Sequence, residues 1–116
     1  MNERTAGLLA WQWANYPQAH RNHRNLLVHI LSVPIFILGT LGLLLAPLVG
    51  FWLALGGLIA MTAAMALQGA THHLEAVPPM PFLGPLDVLV RIFAEQWITF
   101  QRYLLSGGFA SAWRER

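Results

Sequence analysis

A long run without formal charge constrains this chain more than any other feature. From Asn25 to Leu74 there is no Asp, Glu, Lys or Arg, and in the whole 116-residue chain only 10% of residues are charged while 56% are hydrophobic. A soluble domain of this length needs charge along its sequence to cover its surface, whereas the hydrocarbon core of a bilayer excludes charge. The run therefore predicts an all-α integral membrane protein, with one domain over residues 1–116.

Proline and glycine divide the uncharged run into two predicted spans. Residues 26–45 and 51–70 would each rise about 30 Å as an α-helix, which is the thickness of the hydrocarbon core. Pro47 and Gly50 lie between them and favour a tight turn. Small residues in the second segment, among them Gly56 and Gly57, allow close helix approach. The sequence therefore predicts a transmembrane helical hairpin.

Two further helical segments flank the predicted hairpin. Residues 5–15 contain tryptophan and leucine in an amphipathic pattern, which is typical of an interfacial helix. Residues 86–105 repeat apolar side chains at helical spacing on one face and carry charges elsewhere. This pattern predicts an amphipathic helix that lies in the interface or packs on the hairpin. The proline-rich stretch between Glu75 and Pro85 predicts a loop.

Arginine placement predicts the orientation of the hairpin. Three of the seven Arg residues precede the first span, four follow the second, and the turn contains none. By the positive-inside rule both termini are cytoplasmic. The net charge of +2 is too small to suggest nucleic-acid binding, whereas a basic fringe beside apolar helices fits membrane lipids as partners. The pattern leaves a homo-oligomer open.

Five histidines fall into two groups that a hairpin brings to one membrane face. His20, His23 and His29 precede or begin the first span, and His72 and His73 end the second. Ionisable groups that border a span are functional candidates by default. We therefore interpret at least three of these histidines as metal or cofactor ligands, whereas for His23 or His73 alone on the surface a simple polar role is favoured and a ligand role stays open.

Short-range spacing adds a carboxylate to the histidines. His72 and Glu75 are i, i+3, so they share one face of a helical turn and could chelate one cation. The chain has no Cys, and imidazole with carboxylate suits Fe(II), Mn or Zn. A second glutamate, Glu95, is interpreted either as a partner that supports the site or as an ion-pair partner of Arg91, and the ion pair is favoured.

The remaining residue spacings set conditions on the helices for the histidines to meet. Asn25 and His29 are i, i+4, so Asn25 could orient His29 or a bound water. His20 lies nine residues before His29, so the two meet only if the helix breaks between them, and Asn22 and Asn25 are candidates for the break and the N-cap. Counted from the turn, His29 and His72 differ in height by about 8 Å.

Three stretches carry motifs of a known family. The first reads YPQAHRNHRNLLVHILSVP and contains His20, Asn25, His29 and Val33-Pro34. The second reads ALQGATHHLEAVPPMPF and contains Gln68, His72, Glu75 and Pro78. The third is FLGPLDVLVRIFAEQWITFQRYLLSGGF. Together they cover about residues 11–113 and resemble the Mpo-type 2-hydroxy fatty acid dioxygenases, the third stretch resembling short bacterial-type members.

This resemblance implies an Fe(II) centre and an O2-dependent reaction at the membrane that shortens a 2-hydroxy fatty acid by one carbon. The implied ligands are His20, His29 and His72, completed by His73 or Glu75. Glu75 and Asn25 would be the catalytic residues. The substrate carboxylate would pair with Arg21, Arg24 or Arg91. The implied location is a bacterial inner membrane.

Other classes of protein fit the same residues. His29 and His72 on adjacent helices could be the axial ligands of a haem, which a Soret band would reveal. A non-catalytic membrane module that binds lipid or a partner would contain no stoichiometric metal. A zinc hydrolase with Glu75 as its base is a further alternative.

Overall fold

The computed structural model describes residues 7–115, and this part of the chain consists of helices and connecting loops, with no strand. In chain order it contains α1 (Leu8–Asn15), a 3₁₀ turn (Pro17–Ala19), α2 (His23–Val49), α3 (Trp52–His72), α4 (Pro85–Ala94), a π-helical turn (Glu95–Thr99), α5 (Phe100–Leu105) and α6 (Gly108–Arg114). The all-α prediction is confirmed. The first residues of the helix predicted over residues 5–15 lie outside the described part.

Helix α2 is capped by Asn22 at its N-terminus and by Gly50 at its C-terminus. The Asn22 side chain accepts hydrogen bonds from the backbone N–H groups of Arg24 and Asn25 at 2.9 and 3.2 Å, so the predicted N-cap is present. The helix continues through Pro47, past the predicted end at residue 45, and stops at Val49. A positive φ of 158° at Gly50 then closes the turn to α3.

A close crossing of two glycines holds α2 against α3. A Cβ atom on Gly39 would lie 2.7 Å from the carbonyl oxygen of Gly57, and a Cβ on Gly57 would collide with the carbonyl oxygen of Gly39. The two backbones therefore touch directly, as small residues permit in helix pairs of membrane proteins. This crossing fixes the register of the hairpin.

That register brings the two histidine groups to the same height. His29 lies 20 residues before Val49, where α2 ends, and His72 lies 20 residues after Trp52, where α3 begins. The height difference of about 8 Å expected from the sequence came from counting to Pro47 on one side and from Val49 on the other, and it disappears because α2 runs on to Val49 and α3 begins only at Trp52. The imidazoles of His29 and His72 therefore lie at the same height on two uninterrupted helices.

Both hairpin helices are long and apolar enough to cross a membrane. In the most apolar 18 residues of each helix, 39% are buried in α2 and only 17% in α3. The outward-facing large side chains include Leu31, Leu38, Leu44, Leu55, Leu58 and Ile59. A core helix of a soluble domain has such side chains covered, and here the described chain leaves them exposed.

The remaining helices pack around one end of the hairpin. The segment predicted as one helix over residues 86–105 is α4, the π-helical turn and α5, and it contacts the hairpin. A buried apolar cluster joins this segment to α2 and to the start of the chain, and it consists of Tyr16, Leu26, Val33, Phe100, Tyr103 and Ala112. The hairpin end with the histidines is therefore enclosed, while the turn end is bare.

Candidate metal centre

Four side chains from separate stretches converge at the enclosed end of the hairpin. They are His20, His29, His72 and Glu95, and one donor atom of each lies within 4.8 Å of the others. His20 follows the 3₁₀ turn and His29 lies in α2. His72 is the last residue of α3, and Glu95 is the first of the π-helical turn. The imidazole centroids are 4.8 to 5.0 Å apart with nearly perpendicular rings. We call these four side chains the metal cluster, because together they could hold a metal ion.

Backbone carbonyls orient two of the three imidazoles. His20 Nδ1 lies 2.8 Å from the Tyr16 carbonyl oxygen, and His29 Nδ1 lies 2.8 Å from that of Asn25. A carbonyl can only accept, so each Nδ1 carries the proton and each Nε2 has its lone pair free. Both Nε2 atoms and Nδ1 of His72 are buried without a hydrogen-bond partner. Buried polar atoms are rarely left unpaired, and ligation of a metal ion would satisfy all three.

Glu95 contributes the carboxylate of the cluster. Its Oε2 lies 3.4 Å from His20 Nε2 and 3.5 Å from His29 Nε2, and it accepts a 2.8 Å hydrogen bond from the Tyr16 hydroxyl. Burial and the Glu95 charge raise the pKa of Tyr16, so its phenol stays protonated and donates. Tyr16 also stacks on His20 at 3.7 Å between ring centroids.

A pair of buried amides fixes the elements that carry the ligands. Gln68 and Gln96 exchange two hydrogen bonds of 3.0 and 2.8 Å, and Gln68 also donates to the Ser32 hydroxyl at 2.9 Å. Gln68 is one turn before His72 on α3, and Gln96 follows Glu95 directly. π-Helical turns occur frequently at functional sites, and here the turn is tied by its amide to the helix opposite.

Glu75, predicted as a ligand and base, lies outside the metal cluster and anchors a loop. Its two oxygens accept hydrogen bonds of 2.9 to 3.1 Å from the backbone N–H groups of Arg21 and Asn22. The Asn25 side chain donates to Glu75 at 2.7 Å and accepts from the Thr71 hydroxyl at 2.7 Å. Asn25 therefore orients His29 through its backbone carbonyl, while its amide joins the loop to α3.

The other two histidines also lie outside the metal cluster. His73 is exposed at the end of α3. His23 is exposed too, where its ring stacks on Trp113 at 4.6 Å and its Nε2 lies 3.1 Å from the Glu115 carbonyl oxygen. The structure thus brings together three of the five predicted ligands and substitutes Glu95 for Glu75.

The three predicted carboxylate-binding arginines differ in position. Arg21 and Arg24 are exposed, whereas Arg91 is 8% exposed. The Arg91 guanidinium donates to the carbonyl oxygens of Met80 and Pro81 at 2.8 and 3.1 Å, so it ties α4 to the proline-rich loop. An ion pair with Asp87 at 3.5 Å and the ring of Phe82 beneath the guanidinium at 4.3 Å complete this anchor.

Two cavities meet at the metal cluster. The smaller, of about 360 Å³, lies between α1 and the proline-rich loop, and the larger, of about 450 Å³, follows α3. His72, Glu95 and Arg91 line both. A small molecule in either cavity would reach the candidate ligands directly.

Sequence reasoning considered Glu95 as a partner that supports the site but did not place it among the ligands, because the side chains that it contacts are distant along the chain. The expected ion pair with Arg91 followed from helical spacing alone, whereas the contacts with His20 and His29 depend on how the third segment packs. The rule that found the histidines, that an ionisable residue bordering a span has a function, reaches Glu95 only if it is extended to ionisable residues of the segment packed on the hairpin. Tyr16 had no such signal, because an aromatic residue near a span reads as an interfacial anchor.

The fold and the site define a helical protein with two membrane-length helices and a cluster of three histidines and a glutamate that could hold a metal ion. Comparison of the chain with models of protein families, with curated proteins and with solved structures gave no match. Its function is therefore inferred from its own residues.

Proposed function

We propose that this protein is an iron-dependent dioxygenase of the membrane that shortens 2-hydroxy fatty acids by one carbon. The convergence of three buried, unpaired imidazole nitrogens on the Glu95 carboxylate carries the proposal. Three imidazoles and one carboxylate, without thiolate, suit Fe(II), Mn or Zn. The resemblance of the motifs to 2-hydroxy fatty acid dioxygenases selects Fe(II) and the substrate.

The residues around the site would prepare it for the ion. The Nδ1–H bonds of His20 and His29 to backbone carbonyls hold both rings with their Nε2 lone pairs inward. The hydroxyl of Tyr16 fixes the orientation of Glu95. A bound Fe(II) would supply a redox-active site at which O2 and a chelating substrate meet.

The reaction balances with O2 as its only oxidant. A 2-hydroxy acid R–CHOH–COOH and O2 give R–COOH, CO2 and water, as the C1–C2 bond breaks and four electrons pass to O2. The hydroxyl and carboxylate of the substrate offer two oxygens on adjacent carbons for chelation. A plain fatty acid lacks the hydroxyl oxygen, so it should be inert.

The proposal sets α2 and α3 across a bilayer with both termini on the cytoplasmic side. The exposed apolar faces of the two helices support this, together with Phe51 and Trp52 at the bare turn, which are 75% and 71% exposed. The arginines flank the hairpin and are absent from its turn, which favours that orientation. The metal cluster would then lie at the cytoplasmic interface. A bacterial inner membrane follows from the resemblance alone.

The number of converging donors favours a bare ion over haem. A haem takes axial ligands on opposite faces of a flat macrocycle. Here His20 and Glu95 lie within 4.8 Å of the two candidate axial ligands, His29 and His72, in the space that a macrocycle would need. A non-catalytic membrane module would leave three buried imidazole nitrogens unexplained.

The test measures product formation by purified protein loaded with Fe(II) without air. A long-chain 2-hydroxy acid, its 3-hydroxy isomer and the plain acid are compared by mass spectrometry under O2 and under argon. We expect the acid one carbon shorter, and CO2, only from the 2-hydroxy acid and only with O2.

A matched pair of histidine variants accompanies this test. His29→Ala should lose both iron and turnover, whereas His23→Ala, at the same end of the hairpin but outside the cluster, should keep both. Equal turnover of all three acids, or turnover under argon, would reject the dioxygenase and favour a hydrolase. A Soret band in the purified protein would instead identify a haem protein.

A further inference from the structure

We infer that the larger cavity binds the acyl chain of the substrate, with its polar head at the metal cluster, and that Gly69 sets how much chain the cavity accepts. This inference rests on the proposed function for the identity of the ligand. The larger cavity has a volume of about 450 Å³, within the range of about 300–1,000 Å³ that is typical of small-molecule sites.

One wall of the cavity is a single face of α3. Met65, Gly69 and His72 line it at helical spacing, together with Gln68. From His72 to Met65 this face extends about 10 Å along the helix axis, away from the metal cluster and into the apolar hairpin. The cavity therefore leads from the candidate ligands toward the level of the hydrocarbon core.

The lining outside α3 supplies further apolar side chains. Phe82 from the proline-rich loop and Ile92 from α4 line the cavity together with Met65. The amide of Gln68 in the α3 wall is bonded to Ser32 and Gln96. The polar lining residues include His72 and Glu95 of the metal cluster, together with the Arg91 guanidinium, which lies over the Phe82 ring. A ligand with a polar head and an apolar tail finds both kinds of contact in this cavity.

The smaller cavity has a different character. Apart from His72, its lining residues lie outside α2 and α3, and they include the polar side chains of Gln12, Asn15 and Gln18. It therefore opens on the side of the cluster away from the hairpin. Only the larger cavity gives an acyl chain a path beside a membrane-length helix.

Gly69 controls the width of that path because it contributes no side chain to the wall. A Cβ atom built on Gly69 meets no atom within 4 Å, so a larger side chain needs no backbone shift there. Gly56 on the same helix is equally open and does not line the cavity. It lies 13 residues earlier, about 20 Å along the axis and on a different face, so it is a matched control.

The experiment uses a long-chain 2-hydroxy fatty acid with a diazirine at the end of its chain. Protein purified in lipid nanodiscs is irradiated with this probe, and labelled residues are mapped by mass spectrometry. A label is counted as specific only if excess unlabelled acid suppresses it. This control excludes labels that come from probe dissolved in the bulk lipid. We expect specific labels on Met65, Phe82 and Ile92.

The two glycine variants then test the width of the path. Gly69→Trp should lower specific labelling about tenfold, because the indole would take the place of about two methylene groups of the acyl chain. Gly56→Trp should leave specific labelling unchanged. Metal content and thermal unfolding monitor the fold of each variant. If Gly69→Trp does not fold, Gly69→Leu should lose labelling by the long probe and keep labelling by a shorter one.

The outcomes separate this inference from the proposed function, because labelling needs no turnover. Specific labels around Trp11 and Met80 in the smaller cavity, or labels indifferent to position 69, would overturn the inference even if the protein shortens 2-hydroxy acids. Specific labels on the larger cavity without O2-dependent product would uphold the acyl site and reject the reaction.

Discussion

Two glutamates, Glu75 and Glu95, lie near the same end of the hairpin, and their contacts give them different roles. Glu75 accepts hydrogen bonds from two backbone N–H groups and the Asn25 amide, so its oxygens hold the loop that contains His20. Glu95 faces two imidazoles and is held by one tyrosine. Sequence spacing favoured Glu75 as the ligand because it counts only neighbours along the chain.

An isosteric substitution of each glutamate should separate the two roles. Glu95→Gln should lower metal affinity at least about 10-fold, the loss typical of disturbing groups around a metal, with little change in unfolding temperature of the metal-free protein. Glu75→Gln should destabilise the fold by about 1.5–3 kcal/mol, because it weakens hydrogen bonds to a charged group. Metal titration and thermal unfolding of both variants give the comparison. The reverse pattern would restore Glu75 as the ligand.

The hairpin was predictable because its causes are local in the sequence. The absence of charge, the turn residues and the helical spacing act over a few turns, and together they brought His20, His29 and His72 to one end. Two features could not be predicted from local sequence: the end of α2 and the packing of the third segment. Pro47 stayed inside α2, two residues before the last residue of the helix, Val49. The packing of the third segment, which delivers Glu95, depends on long-range contacts such as the Gln68–Gln96 pair.

Neighbouring glycines on α3 allow a direct test of the helix crossing. Gly57→Ala should destabilise the hairpin, because its Cβ would collide with the Gly39 carbonyl oxygen. Gly56→Ala should be neutral or stabilising by up to about 1 kcal/mol, because its Cβ meets nothing and alanine favours helix. Thermal unfolding in detergent compares the two. If Gly57→Ala unfolds no earlier than Gly56→Ala, the backbones do not touch at this crossing.

The molecule is asymmetric along its long axis, with an enclosed end that contains the metal cluster and a bare apolar turn. This asymmetry matches the arginine distribution and leads to a topology prediction. Reporter fusions after Gly50 and after Arg116 should report opposite sides of the membrane, with the Arg116 fusion cytoplasmic. A C-terminus on the outer side would mean that the third segment also spans and that the enclosed end is not an interfacial site.

Binding of a metal ion should tighten the whole protein, because the candidate ligands come from three stretches that no single helix contains. His20 and His29 belong to the start of α2 and its loop, His72 to the end of α3, and Glu95 to the π-helical turn, so an ion would link the hairpin to the segment packed on it. A ligand that binds only the folded state at 100 times its Kd stabilises that state by about 2.7 kcal/mol. Fe(II) should therefore raise the unfolding temperature of the chelator-treated protein, reversibly and in proportion to the logarithm of its concentration. His23→Ala should keep this response and His72→Ala should lose it. An equal response in both variants would mean that the stabilising metal binds elsewhere.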